Sequence, residues 1–179
     1  MRGAPRTSTV KSQAYQWGAF ALIAAIATLV VALGFEFIGG YKPCPLCLQQ
    51  RWAYYVGIPA TFLGLILLGA DRARWALWLF FIVSLIYLAN AGLGVYHAGA
   101  EWKYWPGPDT CNSAATISTN AGGLLKQLET TRVVRCDEAP WRFLGLSFAG
   151  WNVLVSFLLW ITLLQAAFAA AAQQNTKKY

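Results

Sequence analysis

The chain has 179 residues, 58% of them hydrophobic and only 12% charged, with a formal net charge of +7. An ordinary soluble domain carries about twice that charge fraction. The composition therefore excludes a conventional water-soluble globule, and no basic cluster reads as a nucleic-acid site.

Four apolar stretches account for the composition, at residues 17–38, 52–70, 75–97 and 148–172. Each is roughly 19–25 residues long, enough to cross a hydrocarbon core of about 30 Å as a helix. Lipid offers no partners to free backbone groups, so the spans must be helical. The expected fold is an all-α membrane protein, an antiparallel four-helix bundle in a single domain over 1–179. The first stretch follows Arg2, Arg6 and Lys11 but is too long for a signal-peptide core. It reads as an uncleaved anchor.

Basic residues set the expected orientation. Arg2, Arg6 and Lys11, then Arg72 and Arg74 against Asp71, then Lys177 and Lys178, all fall on one face of a four-span chain. The segment 39–47 holds a single lysine, and in 98–147 acidic residues balance the basic ones. Both termini are thus expected in the cytoplasm, and segments 39–47 and 98–147 outside it. All four cysteines then lie on the outer, oxidising side, where disulfides persist.

Between the first two spans stands Cys44-Pro45-Leu46-Cys47. Pro43 favours an extended approach, and Pro45 suits the first helical position, where a missing N–H costs nothing. Cys44 is expected as the N-cap and Cys47 as the third helical residue. Unpaired amides and the positive end of the helix dipole stabilise a thiolate there. Two cysteines three apart also lie within disulfide range. Arg51, one turn beyond Cys47, shares its face and is placed to support the thiolate or to hydrogen-bond an acceptor docked beside it.

The other cysteines, Cys111 and Cys136, fall in the long segment. Cys111 follows the turn-forming run Trp105-Pro106-Gly107-Pro108-Asp109-Thr110, which predicts an exposed segment. Leu124, Leu125 and Leu128 make a short amphipathic helix that lies on the bilayer surface, or else a solvated loop. Cys136, among Arg135, Asp137 and Glu138, is expected in a polar setting open to a soluble partner. Two structural disulfides are the competing reading of the four cysteines. A zinc site is disfavoured, because the second pair is widely spaced and His97 is the sole histidine; no metal is expected.

Taken with four spans, these residues resemble the DsbB family, inner-membrane thiol oxidases of bacteria that pass electrons from the periplasmic oxidant DsbA to quinone. The resemblance rests on Lys42-Pro43-Cys44-Pro45-Leu46-Cys47 with Arg51, Tyr96-His97-Ala98-Gly99, Trp105-Pro106-Gly107-Pro108 before Cys111, and Trp141-Arg142-Phe143-Leu144-Gly145-Leu146 before the last span. It implies a disulfide between Cys111 and Cys136 that is attacked by a reduced DsbA-like protein, with Cys111 taking the mixed disulfide. It further implies that rearrangement joins Cys136 to Cys44 and frees Cys47 to react with ubiquinone or menaquinone. Arg51 would line the quinone pocket and His97 would lie near it. Two rivals are a vitamin-K-epoxide-reductase-like quinone reductase and a non-catalytic membrane scaffold with a disulfide-braced external loop. In the former, the loop cysteines come before the CxxC span rather than after it.

The remaining intramembrane residues carry less specific expectations. As a helix-terminal cation before Gly99, His97 also suits a simple C-cap. Asn90, Asn152 and Gln165 suit interhelical hydrogen bonds, and Gly57/Thr61 with Ala60/Gly64 suit close helix packing. Glu36, near the membrane boundary, can reach the headgroups and is assigned no role, and Trp102, Tyr104, Trp105, Trp141 and Trp151 are expected to form an interfacial belt.

Overall fold

The computed structural model describes residues 4–107, 136 and 138–176. Cys111 and the leucine stripe at 124–128 lie outside the described residues. Four long helices dominate: α1 (Ala4–Phe37), α2 (Pro45–Gly69), α3 (Ala73–Glu101) and α4 (Phe148–Thr176). All four are long and apolar enough to cross a membrane. Each packs on its chain neighbours, and α4 closes the ring against α1, which gives an antiparallel four-helix bundle.

The helices outrun the apolar stretches that announce them. At its start α2 takes in the CxxC segment, and α3 continues past His97 to Glu101. In both places polar residues at the membrane boundary extend an already nucleated helix, so apolarity marks the span and not the helix end. Lys11 on α1 forms an ion pair with Asp71 in the α2–α3 turn at 2.9 Å, fixing those two segments at one end of the bundle.

Small residues hold the interior together. A Cβ on Gly57 would come within 2.5 Å of the Tyr87 hydroxyl, and one on Gly64 within 2.5 Å of the Phe80 ring. Fully buried Phe80 and Tyr87 on α3 therefore fit onto α2 only because those positions lack side chains, as expected for helices packing in lipid. Asn90 donates to Ser156 at 2.9 Å and Tyr54 to Asn152 at 2.8 Å, so α2, α3 and α4 share a polar tie. Gln165 instead faces outward. Large apolar side chains such as Ile23, Trp52 and Trp75 also cover the outside, the arrangement that suits lipid and not water.

A two-stranded hairpin precedes α4: β1 (Arg142–Phe143) pairs antiparallel with β2 (Leu146–Ser147). Its two turn residues, Leu144 and Gly145, have φ of 52° and 81°, the double left-handed geometry of a type I′ turn. Ser147 then accepts the Gly150 amide at 3.2 Å and caps α4.

Candidate functional site

The site is assembled where the chain enters α2. Cys44 is extended (φ −77°, ψ 166°), Pro45 opens the helix, and the Cys44 sulfur accepts the Cys47 amide at 3.2 Å. This is the expected N-cap, with a sulfur in place of the usual oxygen. Cys44 and Cys47 are both free thiols, their sulfurs 2.8 Å apart and sharing a hydrogen bond. Closing a disulfide near 2.05 Å requires only a small rotation of the side chains.

His97 comes from α3. It is buried, with Nε2 3.6 Å from the Cys44 sulfur and Nδ1 3.4 Å from Gln50 Nε2. The Gln50 amide donating to Nδ1 puts the imidazole proton on Nε2, directed at the sulfur. The simple C-cap reading of His97 is thereby corrected, since the helix runs one turn further. Gly99 has its own reason: a Cβ there would meet the Trp105 ring at 2.0 Å, and the Trp105 indole N–H donates to the Tyr96 carbonyl at 2.8 Å.

The thiol of Cys44 is pulled down from its ordinary value near 9 to about 5. The hydrogen bond with Cys47 is the main cause; burial opposes it, and His97 and the Cys47 amide reinforce it. With Cys44 ionised, Cys47 is the donor between the two sulfurs.

Cys136 departs from its expected polar, accessible setting. It is 1% exposed and packs with Cys44, Leu46, Cys47 and Leu93. Its neighbours in sequence are charged, but the sulfur turns inward onto an apolar surface. It is disulfide-bonded, and its partner is neither Cys44 nor Cys47, which are free.

A cavity of about 510 Å³ opens beside the two thiols. Its walls come from the helix ends around the CxxC turn and from the hairpin: Phe35, Tyr41, Trp141, Phe148 and Trp151 supply aromatic surface, and Cys44, Cys47, Arg51, His97 and Glu101 the polar points. A mostly apolar cleft of this size with a few polar groups suits a small aromatic ligand. Trp141 stacks on Phe148 with ring centroids 4.9 Å apart, so Trp141 and Trp151 line the cavity, while Trp102 and Tyr104 remain exposed.

Arg51 reaches this cavity but is held from α1, by the Glu36 carboxylate and by the Ala32 carbonyl at 3.5 Å. No hydrogen bond joins it to either sulfur among the described residues. Glu36 is therefore not a headgroup contact: it anchors the guanidinium at the cavity wall. Two further residues carry no signature in the sequence. Gln50 orients His97, and Glu101, 7% exposed, places its carboxylate 3.8 Å from His97 Nε2. The heptad-like offsets from Cys47 to Gln50 and from His97 to Glu101 contained that proximity, but only once the helix bounds were known.

The family described as Disulfide bond formation protein DsbB matches residues 14–166, most of the chain. The chain belongs to the DsbB family. Disulfide bond formation protein B of Acidovorax sp. (strain JS42) is 31% identical over 155 residues, covering 80% of this chain and 82% of its own. The Paracidovorax citrulli protein of the same name is 29% identical, covering 80% and 83%. An uncharacterised protein of Rickettsia prowazekii, RP370, is 25% identical, covering 79% and 78%. No solved structure gives a significant match. As a DsbB-family chain with four helices able to span a bilayer, it is a multi-pass membrane protein of disulfide bond formation.

Proposed function

We propose that the protein is a thiol:quinone oxidoreductase of the bacterial inner membrane that reoxidises a DsbA-like periplasmic protein, with its termini in the cytoplasm and its cysteines outside. The observation that carries this reading is the junction at Cys44. Cys44 shares a buried cluster with the disulfide-bonded Cys136, and its sulfur is hydrogen-bonded to a second thiol beside an aromatic-lined cavity.

The relay runs by thiol–disulfide exchange. A thiolate of the partner attacks the disulfide of Cys111 and Cys136 at Cys111, and the partner's second thiol resolves the mixed disulfide. The partner leaves oxidised, and its two electrons remain on Cys111 and Cys136. The Cys136 thiolate then attacks Cys44 of the Cys44–Cys47 disulfide and releases Cys47. While Cys44 is tied up in that bond, the negative charge favoured at this helix start falls to Cys47. Cys111 attacks Cys136 and frees Cys44, so that the outer disulfide re-forms and the electron pair rests on Cys44 and Cys47. The same division, two free thiols beside a disulfide-bonded Cys136, is found in the structure.

A quinone, when bound, supplies the two-electron acceptor, and the cavity has the size and aromatic lining for its ring. Arg51 orients it from the wall, positioned by Glu36. Across the Cys44 sulfur, His97 holds a proton on Nε2, and Gln50 keeps that tautomer in place. Each cycle moves two electrons and two protons from the partner dithiol to quinone. DsbA is already a strong oxidant at about −120 mV, so its reoxidation requires a better acceptor, and a quinone is one.

The test mixes the purified protein with a reduced DsbA-like protein and a soluble quinone, and follows quinol formation. Wild type is expected to turn over and Cys47→Ser to show none. Equal rates would remove Cys47 from the relay. A scaffold braced by disulfides predicts no quinol from either protein.

A further inference from the structure

From the sequence, a zinc site is disfavoured because the second cysteine pair is distant. The structure supplies the missing donors from a different helix. The sulfurs of Cys44 and Cys47 and a ring nitrogen of His97 all lie within 4.8 Å of one another. The Glu101 carboxylate lies outside that trio but is 3.8 Å from His97 Nε2, and a swing of its side chain toward the sulfurs would make it a fourth donor. Its Oε2 has no hydrogen-bond partner although the residue is only 7% exposed. A buried carboxylate oxygen without a donor is costly, and it borders the same cavity as the thiols.

We propose that the reduced Cys44–Cys47 pair, with His97 and Glu101, is a tetrahedral binding site for a divalent metal ion of the zinc class, available only when the two cysteines are not joined. Sulfur and nitrogen ligands sit about 2.3 and 2.0–2.1 Å from zinc, so the donors around one ion are separated by roughly 3.3–3.8 Å. The His97–Cys44 separation of 3.6 Å already matches. The two sulfurs, now 2.8 Å apart, must part by about 1 Å, which a side-chain rotation supplies. Binding displaces the Cys47 proton, Cys44 being already a thiolate, and moves the imidazole proton to Nδ1. There the Gln50 amide, turned over, accepts it and orients the ring, as outer partners of metal-bound histidines do. Oxidation to the Cys44–Cys47 disulfide removes both sulfur donors and closes the site. Metal and electron acceptor thus contend for the same sulfurs. The binding itself rests on the donor geometry and not on the identity of the acceptor.

Cobalt(II), added alone to the reduced, detergent-solubilised full chain and then displaced by zinc(II), tests the site. One equivalent is expected to give thiolate-to-cobalt charge-transfer absorption with the visible bands of a tetrahedral ion. Cys44→Ser and Cys47→Ser should abolish that spectrum, and the double variant Cys111→Ser/Cys136→Ser should retain it. Glu101→Gln, of the same shape, should weaken binding while leaving the sulfur bands, and Gln50→Leu should weaken it about 10-fold or more. In the unmutated chain, bound zinc should shield Cys44 and Cys47 from a maleimide. A sulfur-free octahedral spectrum overturns the proposal. So does a tetrahedral spectrum that survives Cys44→Ser but is lost with the outer cysteines, or failure of zinc to shield the two thiols. An affinity unchanged by Glu101→Gln overturns the four-donor set.

Discussion

The two ends of α2 meet α3 in opposite ways. Toward the interior, Gly57 and Gly64 let Tyr87 and Phe80 approach until no space for a methyl group remains. At the CxxC end Cys44, Gln50, His97 and Glu101 are just as buried, yet they border a cavity and meet through polar contacts of 3.4–3.8 Å. The first region is fixed by shape and the second by chemistry. Stability and reactivity are thereby separated along a single helix, so each can be disturbed without the other.

Substitutions should reveal that separation. The largest expected effect is at the CxxC end: Cys44→Ser should reduce quinol formation to background while leaving the thermal midpoint of the reduced protein nearly unchanged near pH 5, where the thiolate contributes little. A large loss of thermal stability would show the two regions to be coupled. The converse is Gly57→Leu, which overpacks the seam and should cost about 1–3 kcal/mol, read as earlier thermal unfolding, with the alkylation profile of Cys44 preserved. Next, Arg51→Ala removes a charged hydrogen-bond donor worth about 1.5–3 kcal/mol. The apparent KM for quinone should rise about 10-fold or more, with that for the partner protein unmoved; an unchanged quinone dependence would assign Arg51 to structure.

The thiol of Cys44 gives a finer measure. In the reduced protein its alkylation by iodoacetamide should show a midpoint near pH 5. Cys47→Ala should move that midpoint up the most, because the Cys47 hydrogen bond is the leading cause, and His97→Ala should move it less. The sign for stability follows from linkage. A folded-state value depressed from about 9 to about 5 stabilises the reduced fold fully above pH 9. That contribution fades as the pH falls toward 5. Denaturant titrations of the reduced chain across this window should show the decline, and Cys44→Ala should flatten it. The smallest effect belongs to the far end, where Lys11 and Asp71 are partly exposed. Lys11→Ala should change stability by less than about 1 kcal/mol.

The sequence already carried the spans, the capped CxxC turn and the likeness to the family, because each depends on local pattern. Apolar length announces a membrane helix, and Pro45 beside Cys44 announces its start. What it did not carry were contacts between helices. Nothing near Glu36 says that it meets Arg51, since the residues are 15 apart and on different elements. Cys136 misled for a related reason. Its charged neighbours suggested exposure, whereas burial is decided residue by residue according to which side of the chain meets Leu46 and Leu93. Glu101 was hidden because an apolar window ends at His97, although backbone hydrogen bonding continues for another turn.

The burial of Cys136 also bears on leakage. Electrons held by a pair of sulfurs can be lost to any small thiol or disulfide that reaches them, because exchange requires a direct line of approach to one sulfur. With 1% of Cys136 accessible, a bulk thiol has little line of approach to that atom, whereas Cys44 is reached only by small reagents that enter the cavity it lines. If the proposed relay runs through Cys136, its burial insulates that sulfur from the surrounding buffer.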